Sequence, residues 1–259
     1  MTQFDSMDIF VDGYDLSQRL GFNSYTIKNS SDRLFGINRS IEVEDSLNGE
    51  VYLAKFNNTR PVLDVEIARV DNWGNPIPIK NKDLDELGRI LFTNKTTKLE
   101  CEGLIYYGAF VDGTSWRNTA DLGFVMLKYE LLSPYCYTNI RSNEKKITTE
   151  RIIEITNKSN ADEYCYLDVE IKQLGISPIN ITNLTTGESI VINGMALNEE
   201  VQIVSEYKEI FSTTNPTKNM YANIVYNKHF LRMKYGKNRI KVTGNCLVYF
   251  RHQAKMYLR

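Results

Sequence analysis

Residues 238–252 read NRIKVTGNCLVYFRH, and this stretch decides the fold. Ile240 and Val242 alternate with polar neighbours, Gly244–Asn245 supplies a dipeptide suited to a tight hairpin turn, and Val248 and Phe250 resume the alternation. A period of two is that of a strand with one face buried. Moving upstream, RIIEITN (151–157), YCYLDVEIKQL (164–174), SPINITNL (177–184), ESIVING (188–194) and EEVQIVS (199–205) are further short runs, separated by Gly, Asn, Ser and Thr. Short strands at this spacing indicate a β-sandwich or barrel and not βαβ units.

The first half is less regular. Asn48–Gly49 sits between SIEVEDSL (40–47) and EVYLAKF (50–56), a strong two-residue hairpin signal. RPVLDVEIARV (60–70) places Leu63, Val65 and Ile67 on one face of a strand. A single α-helix is predicted over 81–92, NKDLDELGRILF, with Asn81 as its cap and a stripe of Leu84, Leu87 and Leu91 for packing on a sheet. Gly88 weakens that helix, and close approach of the sheet is the expected reason for it. Two further strands, 97–111 and 123–138, are predicted on either side of a polar loop, DGTSWRNTAD (112–121). The apolar pattern breaks at SPYCYTNIRSNEKKITTE (133–150), so two domains are expected, 1–140 and 141–259, both mainly β and each a β-sandwich or barrel.

The chain has 259 residues, 31 Lys+Arg and 32 Asp+Glu, a net charge of −1 that offers nucleic acid no basic face. No apolar run reaches the roughly 18 residues of a membrane span, and the N-terminus lacks a signal-peptide core. Cys101, Cys136, Cys165 and Cys246 are widely spaced and read as free, buried thiols. His229 and His252 lie in no metal or catalytic motif and are expected at strand edges. The carboxylate pairs Glu42/Glu44, Asp83/Asp85 and Asp168/Glu170 match a solvated face as well as they match acid–base chemistry. No phosphate-binding glycine loop occurs. Neither catalysis, a metal nor a cofactor is therefore expected. Trp73 and Trp116 are expected in loops, where they would plug a local cluster, make a subunit contact or stack on a sugar.

Three stretches together resemble the distal tail protein (Dit) family of long-tailed bacteriophages. They are IFVDGYDLSQRLGF (9–22), GFVMLKYELLSPYCYT (123–138), and ITNLTTGESIVING (181–194) followed by KYGKNRIKVTGNCLVYFRHQ (234–253). The resemblance implies an N-terminal ring-forming β-sandwich with one helix and a C-terminal galectin-like sandwich. It further implies a homo-hexameric adaptor at the tail tip of the virion, assembled in the host cytoplasm and devoid of enzymatic activity. Its partners would be the tail tube protein and the tail-tip hub, with the tape-measure and receptor-binding proteins nearby, and neither membrane nor sequence-specific nucleic acid. No segment is long enough for an inserted carbohydrate-binding module, so the chain resembles the short form. Asn48, Gly49 and Trp116 are the expected subunit-contact residues. A cell-wall carbohydrate-binding protein is the alternative, with Tyr207 and Tyr221 as its candidate aromatics.

Overall fold

The computed structural model describes residues 8–28, 39–45, 51–58, 60–71, 73, 75–101, 103–161, 163–227 and 229–258. The protein is mainly β, with one helix longer than two turns among the described residues. It divides into two compact units, residues 1–137 with 256–259, and residues 138–255.

The first unit is built on a nine-stranded sheet. Its central path runs Thr97–Cys101, Leu104–Arg117, Gly123–Leu131, Val62–Arg69, Phe22–Lys28, all antiparallel neighbours. Leu63, Val65, Ile67, Leu99, Phe110, Val125, Leu127, Tyr129 and Leu131 form the buried face, in the alternation that the sequence shows. The helix Asn81–Leu91 covers part of this core with Leu87 and Leu91 buried and Leu84 and Ile90 packed alongside. Its cap is Lys80, not Asn81. The Lys80 N–H donates to Asp83 Oδ2 at 2.9 Å, so the carboxylate one turn inside the helix performs the capping. Gly88 has no heavy atom within 4 Å of where a Cβ would stand, so close approach of the sheet does not account for it. A five-residue helix, Leu16–Leu20, was not expected; Asp15 Oδ1 caps its start and Gly21, at φ 73°, ends it. Five residues are too few for a stripe to show in the sequence.

In the second unit two five-stranded sheets enclose one apolar core. One sheet has the order Arg141–Ile147, Cys246–His252, Asp168–Gln173, Glu200–Val204, Glu209–Ser212. The other has the order Glu150–Asn157, Gly236–Thr243, Ile179–Asn183, Ser189–Ile192, Ile224–Asn227.

The Gly244–Asn245 turn corrects a sequence expectation. The strands on its two sides do not pair with each other but belong to opposite sheets. Residues 141–157 and 236–252 form one antiparallel ribbon that folds over from sheet to sheet. Its register is unbroken from Arg141↔His252 to Ile147↔Cys246 and on from Glu150↔Thr243 to Asn157↔Gly236. At the corner Gly244 N–H still donates to Thr149 C=O at 2.8 Å, while Asn245 C=O accepts from Leu174 N–H on the other sheet. Gly244 has φ 124°, a backbone state that side chains rarely adopt. Alternation with period two identifies a buried face but not the partner strand, which is why a corner reads as a hairpin.

Candidate interaction surfaces

Trp116 lies in a strand, contrary to the expected loop. The strand Leu104–Arg117 runs through the polar residues Asp112–Arg117, and the turn proper is confined to 118–122. There Asn118 Oδ1 accepts from the N–H groups of Ala120 and Leu122 at 2.9 and 3.0 Å. Residues 111–116 are all exposed, so no burial alternation marks this end as a strand. A bulge between Phe110 and Asp112 shifts the register and separates the buried half of the strand from the exposed half.

Cross-strand pairing sets Trp116 opposite Phe124 and Thr114 opposite Met126, and carries on to Ala68 and Glu66 of the next strand. The rings of Trp116 and Phe124 stack at 5.6 Å and 25°. Trp116 is 56% exposed and Met126 47% exposed, so the sheet turns an apolar patch outward beside the turn. Gly123 makes the tight pairing possible, since a Cβ there would collide with the Trp116 carbonyl oxygen.

Asn48 and Gly49 lie outside the described residues. Their flanking strands, Arg39–Asp45 and Val51–Asn58, pair antiparallel from Arg39↔Asn58 to Asp45↔Val51 and form a two-stranded sheet of their own. Trp73 is in a turn, as expected, and 85% exposed. Asp71 Oδ1 accepts from the N–H groups of Trp73 and Asn75, both at 2.9 Å, so the ring is presented by a hydrogen-bonded loop.

Three of the candidate carboxylates are engaged structurally. Asp83 binds Arg69 at 2.6 Å, Asp168 Oδ1 accepts from Ser205 N–H at 2.8 Å, and Glu170 pairs with Arg251 at 2.7 Å. Two buried carboxylates escaped the sequence reading. Glu188 receives Arg232 Nε and Glu199 receives Lys218 Nζ, each at 2.7 Å. Burial alone would raise both carboxyl pKa values, but hydrogen bonds from Thr186 and Arg232, and from Lys218 and Ala196, more than offset it and hold them below the ordinary range. All four cysteines are buried and outside any disulfide, and burial pushes the Cys165 and Cys246 thiols up to about 11, where they are inert. His252 is buried, not at an exposed edge; burial and the facing Arg141 lower its pKa. No metal-binding cluster occurs among the described residues, and no helix among them is long and apolar enough to cross a membrane. What the surface offers is contact, in the patch at Trp116, the projecting ring of Trp73, and in the second unit the exposed rings of Tyr207, Tyr221 and Tyr235.

Comparison with known proteins places this arrangement. Residues 135–252 match a family described as a phage tail C-terminal domain. Over 154 residues the chain is 25% identical to the SPbeta prophage-derived uncharacterised protein YomH of Bacillus subtilis (strain 168), covering 59% of this chain and 60% of that relative's length. The fold is that of a class of β-rich phage tail proteins. More particularly, it is Dit-like: the Dit protein of phage SPP1 superposes with a TM-score of 0.66 at 13% identity, covering 95% of this chain and 98% of that one. A chain of the phage P2 baseplate, in its activated conformation with Ca, gives 0.55 at 12% identity, with 95% and 94% covered.

Proposed function

We propose that the protein is a structural component of a phage tail tip, a non-enzymatic hexameric ring adaptor that joins the end of the tail tube to the tail-tip hub and the receptor-binding apparatus. The observation that carries this reading is the Dit-like fold along nearly the whole chain, joined to the match of 135–252 to a phage tail family. The SPP1 protein is described as a paradigm of the hub adsorption apparatus in phages that infect Gram-positive bacteria. The ring is assigned to the first unit, the galectin-like sandwich to the second, and Asn48, Gly49 and Trp116 to the subunit contact. A cyclic ring joins two different patches on each copy, and the outward apolar patch at Trp116 supplies one of them. Light scattering on the purified chain tests this: a particle of about 180 kDa, six times 29.9 kDa, is expected. A monomer that stays monomeric when mixed with tail tube protein and hub would overturn it.

A second reading, cell-wall glycan binding, is favoured by one feature. Tyr207 and Tyr221 are 72% and 56% exposed, and the Tyr221 hydroxyl donates to the carbonyl of Lys208, adjacent to Tyr207. Two exposed rings at one end of a sandwich provide a surface for sugar stacking. Titration with purified cell-wall polysaccharide separates the two readings.

A further inference from the structure

The two sheets of the second unit end in four outer strands, and three of these carry the charges that keep sheet edges apart. Arg141–Ile147 holds Arg141, Glu144, Lys145 and Lys146; Glu150–Asn157 holds Glu150, Arg151 and Glu154. Glu209–Ser212 begins with Glu209 and is accompanied by the short 3-10 helix Met220–Asn223. The fourth, Ile224–Asn227, has no charge at all. Its Val225 is 63% and its Tyr226 52% exposed, and no strand among the described residues pairs with its outer side.

The register fixes which backbone groups face outward. Ile192 pairs with Ile224, Val191 with Val225 and Ile190 with Tyr226, and just before the strand Asn193 N–H donates to Asn223 C=O at 2.8 Å. Hydrogen bonds in an antiparallel ladder alternate. Residues 223 and 225 therefore turn their backbone groups inward, and Ile224 and Tyr226 present theirs to the open edge.

We propose that this edge pairs with the same edge of a second copy of the chain, antiparallel about a two-fold axis at Val225. In that register Ile224 of each copy stands opposite Tyr226 of the other, and both present outward N–H and C=O groups, which closes four backbone hydrogen bonds. Val225 then faces its own counterpart at a non-hydrogen-bonded position. The side-chain pairs are apolar, Ile with Tyr and Val with Val, and no like charges meet. A slip of one residue sets outward groups against inward ones, and a slip of two keeps only one of the two bonded pairs, so this register is the self-complementary one. Four residues per copy make a contact well below the roughly 1,000 Å² of a stable interface, so the pairing is a weak one that fills as protein concentration rises. A two-fold contact cannot by itself close a ring, so it stands apart from the ring contact assigned to the first unit.

Val225→Cys in the full chain tests the register directly. Opposed residues at a non-hydrogen-bonded site come close enough for a disulfide, and the native cysteines are all buried, so they contribute no background. Under mild oxidation, Val225→Cys is expected to form a reducible dimer about ten-fold or more faster than Tyr235→Cys, because pairing raises the local concentration; Tyr235 is a similarly exposed control at 77%. Adding Tyr226→Lys should bring the rate down to that of the control. Equal rates for the two cysteine variants, both folded, overturn the pairing. Should Val225→Cys fold poorly, sedimentation equilibrium of the unaltered chain against Val225→Lys decides. A concentration-dependent rise in mass lost on substitution supports the edge contact, and identical masses overturn it, whatever oligomer the first unit builds.

Discussion

Arg69 Nη1 and Asp83 Oδ2 meet at 2.6 Å, and this contact ties four segments of the first unit together. Arg69 Nε donates to Leu20 C=O at the end of the short helix, and its Nη1 donates to Pro78 C=O in the loop before the long one. Asp83 accepts from Lys80 N–H and so also caps that helix. The carboxylate is almost fully buried while the guanidinium keeps partial contact with water. Removing one partner is therefore worse than removing an exposed ion pair. Asp83→Ala should cost about 2–3 kcal/mol of unfolding free energy through the lost cap and charged hydrogen bond. Arg69→Met should cost about 3 kcal/mol, because it strands the buried carboxylate. Urea denaturation of both singles and the double variant checks this, and the double should cost less than the two singles added.

Glycines 88 and 108 should respond in opposite directions. Gly88 stands in the middle of a helix with open space where a Cβ would go, so Gly88→Ala should stabilise by about 1 kcal/mol. At Gly108 a Cβ would run into the Glu130 carbonyl oxygen and the Tyr129 ring. Tyr129 cannot yield easily, since its single O–H lies between the carbonyls of Thr97 and Tyr106, at 2.7 and 3.1 Å in the core. Gly108→Ala should therefore destabilise by about 1–3 kcal/mol, as overpacking does. Thermal melts of the two variants against the parent provide the measurement.

These glycines also show where the sequence speaks and where it falls silent. Buried strands such as Ile179–Asn183 and Glu200–Val204 were legible because alternation with period two records burial, and burial is what the sheet demands of each residue. The helix at 81–91 was legible for the same reason at its own period. Pairing is not written in a single strand. Gly244–Asn245 has the composition of a hairpin turn and makes a corner between sheets, and the exposed half of Leu104–Arg117 has the composition of a loop because neither face of it is buried. Trp116 reads as a loop residue and stands in a strand. Glu188 and Glu199 went unnoticed because their partners, Arg232 and Lys218, lie 44 and 19 residues away and no local pattern links them.

Acid should weaken the fold in two steps. Burial and Arg141 keep His252 neutral in the folded chain below its ordinary pKa of 6.5, while the unfolded chain takes up the proton there. The unfolded state thus binds more protons, and stability present above pH 6.5 is lost as pH falls toward the depressed folded value. Glu188 and Glu199 are held below 4.5, so their contribution is present above that pH and is lost as pH falls through their folded values. Calorimetric melting temperatures across this range should show both declines. His252→Gln should flatten the upper one and leave the lower one in place. An upper decline, setting in below pH 6.5, that persists unchanged in His252→Gln would assign it to another group.

Trp116 separates a fold role from an assembly role. More than half of its surface is exposed and its ring stacks on Phe124. Trp116→Ala should therefore cost the isolated chain only about 1 kcal/mol, the worth of an exposed aromatic pair, and leave its melting cooperative. At a subunit contact the same ring would be a buried anchor, where truncation of a tryptophan commonly costs 2 kcal/mol or more for each copy of the contact. A closed ring repeats that loss at every interface. The expected outcome is a folded protein whose mass by light scattering falls from about 180 kDa, six times 29.9 kDa, to that of a monomer or small oligomer. A full-sized ring from folded Trp116→Ala would remove this residue from the contact and leave the patch around it as an outward docking face.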